Sequence, residues 1–330
     1  MKWAEGLKAA ANGVAACPLP DGVTMPATIS AQELETKDFP PISWVVEGLI
    51  PEGLTLLAGK PKIGKSWLAL QIGLAVSTSG EVLGRRTTQG TVLYAALEDN
   101  PRRLKSRMSK SCRCASGWPR ELIFATEWPR LDAGGLEATE AWIGQHPNTR
   151  LVIIDTLATV RPASNSRDSL YQSDYQALRG LHDLANRHGV GIVVIHHVRK
   201  AEAEDRFDTV SGSTGLTGAA DATLVLSNTS DGKVLYGRGR DLAEFESAVE
   251  FDQETCRWSD LGRPCDAYGS ATRKAIREAL TAGKNSPKDI AEHCGLDYDL
   301  CAKTLQRMAE GGEVLKGGRD NYRLTPDPLP

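Results

Sequence analysis

A surplus of positive charge is missing from this sequence: Lys and Arg total 39 against 42 Asp and Glu, a formal net charge of −3. No global field therefore draws the chain to nucleic acid, and any such contact has to come from a local patch. Paired cysteines are missing as well. The 7 cysteines are an odd number, Cys112 and Cys114 stand one residue apart, and no pair has C-x-x-C spacing. That pattern disfavours a zinc site or a disulfide framework and suits reduced thiols in a cytoplasmic protein. No stretch is apolar for long enough to span a bilayer. Met1 to Ala16 mixes Lys2, Glu5, Lys8 and Asn12 among small residues, so neither a membrane span nor a secretion signal is expected. What is there is a chain of 330 residues, 41% hydrophobic and 25% charged, globular in composition and longer than one average domain.

Its strongest local signal is Gly59-Lys60-Pro61-Lys62-Ile63-Gly64-Lys65-Ser66, which fits G-x-x-x-x-G-K-[ST] at every fixed position. The flanks agree with the motif. Leu54 to Ala58 reads as a buried strand, and the run from Trp67 to Val76 is long enough for a core helix. A strand entering a helix through a glycine-rich turn points backbone N–H groups, backed by the helix dipole, at a polyphosphate. The cradle is therefore expected from Gly59 to Trp67, with Lys65 on the β- and γ-phosphates and Ser66 on Mg²⁺, so ATP and Mg²⁺ are the expected cofactors.

Taken in order, residues 1–41 are alanine-rich and then punctuated by Pro18, Pro20 and Pro26, as in a helix fragment followed by an irregular arm. An ATPase domain is expected over 42–262, a linker over 263–270, a small helical domain over 271–325 and a disordered tail over 326–330. Within the ATPase domain, Thr91 to Leu97 reads as a strand that stops on Glu98 and Asp99, where a carboxylate can face a ligand beyond the strand end. The following helix carries Arg102, Arg103, Lys105, Arg107 and Lys110, either a solvated face or a phosphate contact. Leu151-Val152-Ile153-Ile154-Asp155 has the Walker B arrangement, with Asp155 presented to a metal shell. Leu157 to Asp174 looks polar and irregular, and Leu178 to His188 makes an amphipathic helix. Gly191 to Ile195 is a strand ending on His196, which is either a satisfied core histidine or a γ-phosphate sensor. From Ala201 to Ala220 the charged and then glycine-rich composition suggests a mobile loop. Asp221 to Leu226 and Lys233 to Tyr236 pair as a hairpin that delivers Arg238 and Arg240 on an exposed turn. These arginines are either a solvated tip or a source of transition-state stabilisation for a neighbouring subunit. Ala248 to Asp252 is expected to close the sheet.

The C-terminal stretch reads as helices at Thr272–Leu280, Pro287–Cys294 and Leu300–Ala309, then strands Val314–Lys316 and Tyr322–Leu324. That order is the outline of a winged helix-turn-helix, with Lys303 and Arg307 on the candidate recognition helix and Lys316, Arg319 and Arg323 about the wing. Duplex DNA and a docking protein are both open as its partner.

Together the motifs resemble the RecA-type ATPases, and more narrowly the plasmid and phage RepA-like hexameric replicative helicases, relatives of the DnaB type. The resemblance spans roughly Ser43 to Asp260. It implies an α/β fold: a RecA-like P-loop core with a mostly parallel sheet, plus the small C-terminal winged helix-turn-helix. It also implies a homo-oligomeric ring, a hexamer in such relatives, acting on single-stranded DNA without a membrane. Carried over to this chain, the pattern makes Glu98 the base that orients the attacking water, His196 the γ-phosphate sensor and Arg240 a finger supplied in trans, with Arg238 beside it. Lysine is usual where Arg238 stands. Arg161, Arg167, Arg199, Lys200 and Arg206 match in position the loops that face DNA in such rings. The implied activity is an ATP-driven replicative helicase of a mobile element. Its rivals are an ATP-dependent loader, recombinase-like protein or regulator without unwinding, a copy-number regulator acting through the winged helix, and a small-molecule kinase.

Overall fold

The computed structural model describes residues 28–39, 41–112, 117–162, 170–198, 207, 210, 215–229, 232–267, 271–318 and 321–325. The chain divides into two units, Met1–Pro41 and Ile42–Pro330. In the first, α1 (Ala31–Thr36) is held by a capping box: the Ser30 hydroxyl accepts from Glu33 N–H and the Glu33 carboxylate accepts from Ser30 N–H. This is one departure from the sequence reading, which placed an irregular arm after a helix fragment within 1–41. The proline-punctuated stretch at Pro18, Pro20 and Pro26 lies outside the described residues, as does the tail from 326.

The second unit opens with β1 (Trp44–Val46) and β2 (Ile50–Pro51), an antiparallel pair. Then come β3 (Gly53–Gly59), α2 (Lys65–Thr78), the small pair β4 (Glu81–Val82) and β5 (Arg85–Arg86), β6 (Thr91–Ala96), α3 (Pro101–Ser111) and β7 (Leu122–Ala125). They are followed by α4 (Leu136–Gln145), β8 (Thr149–Asp155), α5 (Leu157–Val160), α6 (Leu170–His188), β9 (Gly191–His197) and α7 (Gly215–Ala219). Four strands come next, β10 (Ala222–Asn228), β11 (Lys233–Gly239), β12 (Phe245–Asp252) and β13 (Arg257–Gly262). The chain continues into α8 (Pro264–Ala267), α9 (Ala271–Thr281), α10 (Pro287–Cys294), α11 (Tyr298–Glu310), β14 (Val314–Lys316) and β15 (Tyr322–Leu324).

One nine-stranded sheet organises this unit, in the order β13-β12-β11-β10-β3-β9-β8-β6-β7. From β10 to β7 neighbours run parallel, and β11, β12 and β13 add an antiparallel extension. The middle strands are buried on both faces, which is why they read as unbroken apolar runs. Strand alternation then sorts each residue to one face or the other. Leu57, Tyr94, Ile153 and Ile195 pack with α2, whereas Leu56, Leu93, Ile154 and Val194 pack with α6. The α2 helix has no polar stripe because it lies between the sheet and the aromatic residues of β12 and β13.

Several expectations give way here. Leu157 to Asp174 is not wholly irregular: buried Leu157 and Val160 form α5, and α6 begins eight residues before the expected Leu178. The described part of the glycine-rich stretch contains α7, and Phe207, Val210 and Leu216 join the core; residues 201–206, 208–209 and 211–214 lie outside the described residues. The outer strand on the β12 side is β13, whose one fully buried large side chain, Trp258, gives too little apolar pattern to announce a strand. The stretch taken as a linker contains α8, which packs on β12 and β13, and its Asp266 pairs with Arg277 of α9 at 2.8 Å.

The C-terminal elements build their own core from Ile276, Ile290, Cys301, Leu305, Met308, Val314 and Tyr322. Ser286 caps α10 and Asp297 caps α11. Three helices and the antiparallel β14–β15 pair follow in the order read from the sequence. Ile290 is fully buried in this core, so Ile290→Ala should lower stability by about 2–5 kcal/mol through lost burial and the cavity left behind. Urea denaturation with hydrogen exchange on the amides of α9 to α11 measures the loss.

Candidate nucleotide site

The turn from β3 into α2 depends on two glycines. A Cβ on Gly59 would stand 2.5 Å from Leu226 O on β10, and one on Gly64, at φ +113°, would stand 2.6 Å from the Trp258 ring. Lys62 also adopts a positive φ of 64°. Gly64 heads α2 with no side-chain cap, so the N–H groups of Lys65 and Ser66 face out along the helix dipole, while the Trp67 N–H turns back to Gly64 O at 3.1 Å. The Lys65 ammonium, 4% exposed, bonds to Gly59 O at 2.7 Å, Lys60 O at 3.1 Å and His197 Nδ1 at 3.0 Å. Burial lowers its pKa to about 8, with the charges of Asp155 and Glu98 pulling the other way.

Alternation on β8 puts Asp155 on the same sheet face as α2, next to Ser66. Its carboxylate accepts from the Tyr94 hydroxyl at 2.9 Å and from the Ser66 side chain. Burial raises the Asp155 pKa, and these two hydrogen bonds oppose the rise. Ser66 and Asp155 thus offer two hard oxygens at the cradle, and no group of three or more His, Cys, Asp or Glu among the described residues could hold a metal by itself. That donor set fits Mg²⁺, which keeps waters and takes phosphate oxygens as its remaining ligands. Glu98 stands exposed one step away, with its Oε1 accepting from the Thr156 hydroxyl at 3.1 Å. Asp99 turns from the cradle to Arg103 and Arg107 at 3.0 and 2.5 Å.

Of the two histidines ending β9, the one that touches the P-loop is His197. It follows Ile195 on the α2 face, while His196 follows Val194 on the opposite face. Burial, then the charge of Arg161, lowers the His196 pKa to about 4, and burial and Lys65 lower that of His197. Both are neutral rings at pH 7. Where Lys65 donates, His197 Nδ1 accepts and the ring proton sits on Nε2.

Arg238 and Arg240 are not at a hairpin tip, which is a correction to the sequence reading. Arg238 lies within β11, paired with Thr223, and its guanidinium stacks 4.0 Å over the Phe207 ring. Arg240 lies just past the strand, and its N–H donates to Asp221 O. Because β11 is antiparallel to β10, both arginines sit beside the start of β3, where Thr55 pairs with Ala222, and the cradle begins at its end. The four steps along the strand from Thr55 to Gly59 span about 13 Å at roughly 3.3 Å each, so these arginines and the cradle of the same chain lie at opposite edges of the sheet.

Of the residues expected at DNA, Arg161 is half-buried beside His196. Arg167, Arg199, Lys200 and Arg206 lie outside the described residues, as does Arg319. Lys303 and Arg307 are exposed on α11. Lys303 lines a groove of about 660 Å³ with Tyr298, Asp299, Gln306, Glu310 and Lys316, so acids and bases share it.

Trp258 went unread in the sequence. Its indole N–H donates to Gly64 O at 3.2 Å, and its backbone exchanges hydrogen bonds with the Gln71 side chain at 2.7 and 2.9 Å. It therefore buttresses the cradle from the far antiparallel strand. A lone tryptophan in a polar run was its only trace. Tyr94 was hidden inside an apolar strand, and its bond to Asp155 shows only in the fold.

A phosphate cradle at the carboxyl edge of a mostly parallel sheet, with its strand in the middle and Asp155 across the groove, defines a RecA-like P-loop ATPase fold. A family model described as AAA domain matches residues 23–203, more than half of the chain, and the chain belongs to this family. Among solved structures, a DnaB-like replicative helicase, described with its interactions with primase, matches with a TM-score of 0.50 at 16% identity, over 69% of this chain and 66% of that one. The chain therefore spans just under two thirds of that helicase. The ATPase domain of G40P matches with a TM-score of 0.46 at 16% identity, over 64% of this chain and 85% of that one. A RadB recombinase matches with a TM-score of 0.44 at 21% identity, over 64% and 92%. The first of these likenesses, at 16% identity, is one of fold alone. No curated protein matches the sequence. No described helix is long and apolar enough to cross a membrane.

The buried lysine gives a pH signature. Phosphate prefers the ammonium form, so a Lys65 that loses its proton near pH 8 should bind nucleotide more weakly as pH rises past that point, by up to tenfold per unit until the pKa of the occupied site is passed. Calorimetric titration of a non-hydrolysable ATP analogue from pH 7 to 9.5 reads this, and Lys65→Ala should bind weakly with no such slope.

Proposed function

We propose that the chain is an ATP-hydrolysing, ring-forming DNA motor, a RepA-like replicative helicase of a plasmid, phage or other mobile element. One observation carries the reading: the cradle and the arginine pair lie at opposite edges of one sheet, so a nucleotide completed by both needs two copies of the chain. One copy gives Lys65, Ser66, Asp155 and Glu98; its neighbour gives Arg240, with Arg238 held beside it. ATP with Mg²⁺ supplies the phosphoryl chemistry. Lys65 and the first-turn N–H groups of α2 bind the phosphates, and Ser66 and Asp155 hold the metal. Glu98, exposed at the rim and oriented by Thr156, takes the proton of the attacking water.

At the end of β9, neutral His197 reports the γ-phosphate through its contact with Lys65, with His196 and Arg161 behind it on the other face. This moves the sensor by one residue from the expectation. It leaves His196 to link the strand to the stretch after residue 198, the segment proposed to meet single-stranded DNA. The C-terminal helices and hairpin are proposed as a winged helix-turn-helix for duplex DNA or a replication protein.

Glu98→Gln should keep analogue affinity near wild type while slowing turnover by about 10²–10⁴-fold, measured by phosphate release. Mass in solution with analogue and oligonucleotide should show a discrete six-fold assembly that displaces the strand of a forked DNA. A filament, or DNA-stimulated hydrolysis with no displacement, supports the loader or recombinase-like reading instead. A monomer hydrolysing ATP at full speed would remove both.

A further inference from the structure

Asp221, at the entry to β10, is where four elements meet. Its N–H donates to Leu54 O at 2.8 Å and its Oδ2 accepts from Leu54 N at 2.9 Å, so one residue near the start of β3 gives both backbone groups to it. Its Oδ1 lies 3.2 Å from His182 Nε2 on α6 and 3.2 Å from a terminal nitrogen of Arg240. A Cβ on Gly53 would stand 2.5 Å from Asp221 Oδ2, which explains a glycine with φ +104° at that point. The Asp221 side chain is 13% exposed and that of Arg240 is 59% exposed.

An ion pair whose arginine is this open to water adds little to stability. What the contact sets is direction. Arg240 is held at two points, its N–H on Asp221 O and one guanidinium nitrogen on Asp221 Oδ1, and the rest of its five-donor fork faces outward. The carboxylate cannot follow the arginine, because Leu54 N and His182 hold it from the protein side. An otherwise flexible side chain is thus pre-set at the sheet edge by a group fixed to the P-loop strand of its own subunit.

We propose that Asp221 is the positioning residue for Arg240, orienting the guanidinium for the triphosphate of a neighbouring copy. The proposal rests on the reading of Arg240 as a finger supplied in trans, and the test separates the two. Asp221→Asn keeps an oxygen for Leu54 N–H while removing the charge that holds Arg240. In the full chain with DNA and ATP, its kcat should fall about tenfold with KM and melting temperature unchanged. The double variant Asp221→Asn with Arg240→Ala should be no slower than Arg240→Ala alone, since an orienting group has nothing left to orient. If Arg240→Ala runs at the wild-type rate, the finger reading fails and takes this proposal with it. If Arg240→Ala is slow while Asp221→Asn is not, or if the double variant loses the product of the two single effects, positioning is overturned and the finger stands. Should Asp221→Asn melt lower, Asp221→Glu keeps the charge one methylene out of place: a kcat loss at unchanged KM supports the proposal, and a wild-type kcat overturns it.

Discussion

The feature on which the rest depends is a buried cation. Lys65 is 4% exposed at the head of a helix that carries no other charge, and an ammonium in such surroundings is costly unless its N–H groups are met. Two carbonyls of the loop and the ring of His197 meet them, and Asp155 and Glu98 lie close enough to favour the charge. Meeting those demands requires the loop to curl back over its own helix. The curl needs left-handed backbone at Lys62 and Gly64 and close approach at Gly59. A phosphate cradle is the same geometry seen from outside: the groups that satisfy the lysine are the ones a polyphosphate would displace.

That loop holds its shape because the sheet reaches around it. Leu226 O closes on Gly59 from one neighbouring strand, while Trp258 closes on Gly64 from the antiparallel edge and grips α2 through Gln71. Phe251 bridges Trp67 and Trp258, with ring centroids 6.1 and 5.2 Å away. The antiparallel extension is therefore part of the nucleotide site rather than an appendage to it. It carries Arg238 at its other end, so one three-stranded extension supports the cradle of its own chain and presents arginine away from it.

Charge is arranged to match. The acids near the cradle divide between two tasks, Asp155 held against Ser66 and Tyr94, and Asp99 spent on Arg103 and Arg107. Two of the five bases of α3, Arg103 and Arg107, are thereby tied to the protein's own acid. On α11 Asp299, Lys303 and Glu310 share one groove with Lys316, so acids and bases are interleaved there.

Much of this was legible from residue order alone. The P-loop, the buried strands that end on Asp155 and on the histidine pair, and the C-terminal helices were all readable, because each is written in contiguous residues whose spacing is the signal. The sequence alone therefore determined the fold class and the cofactor chemistry expected of Lys65, Ser66 and Asp155. Tertiary structure alone decided that His197 rather than His196 meets Lys65, since one residue of strand phase changes the face. It alone set Trp258 behind Gly64 and Asp221 beside Arg240, and it put the arginines at the sheet edge away from their own cradle. Those contacts join residues up to 194 positions apart, and pairing across a sheet leaves no periodic trace in either partner.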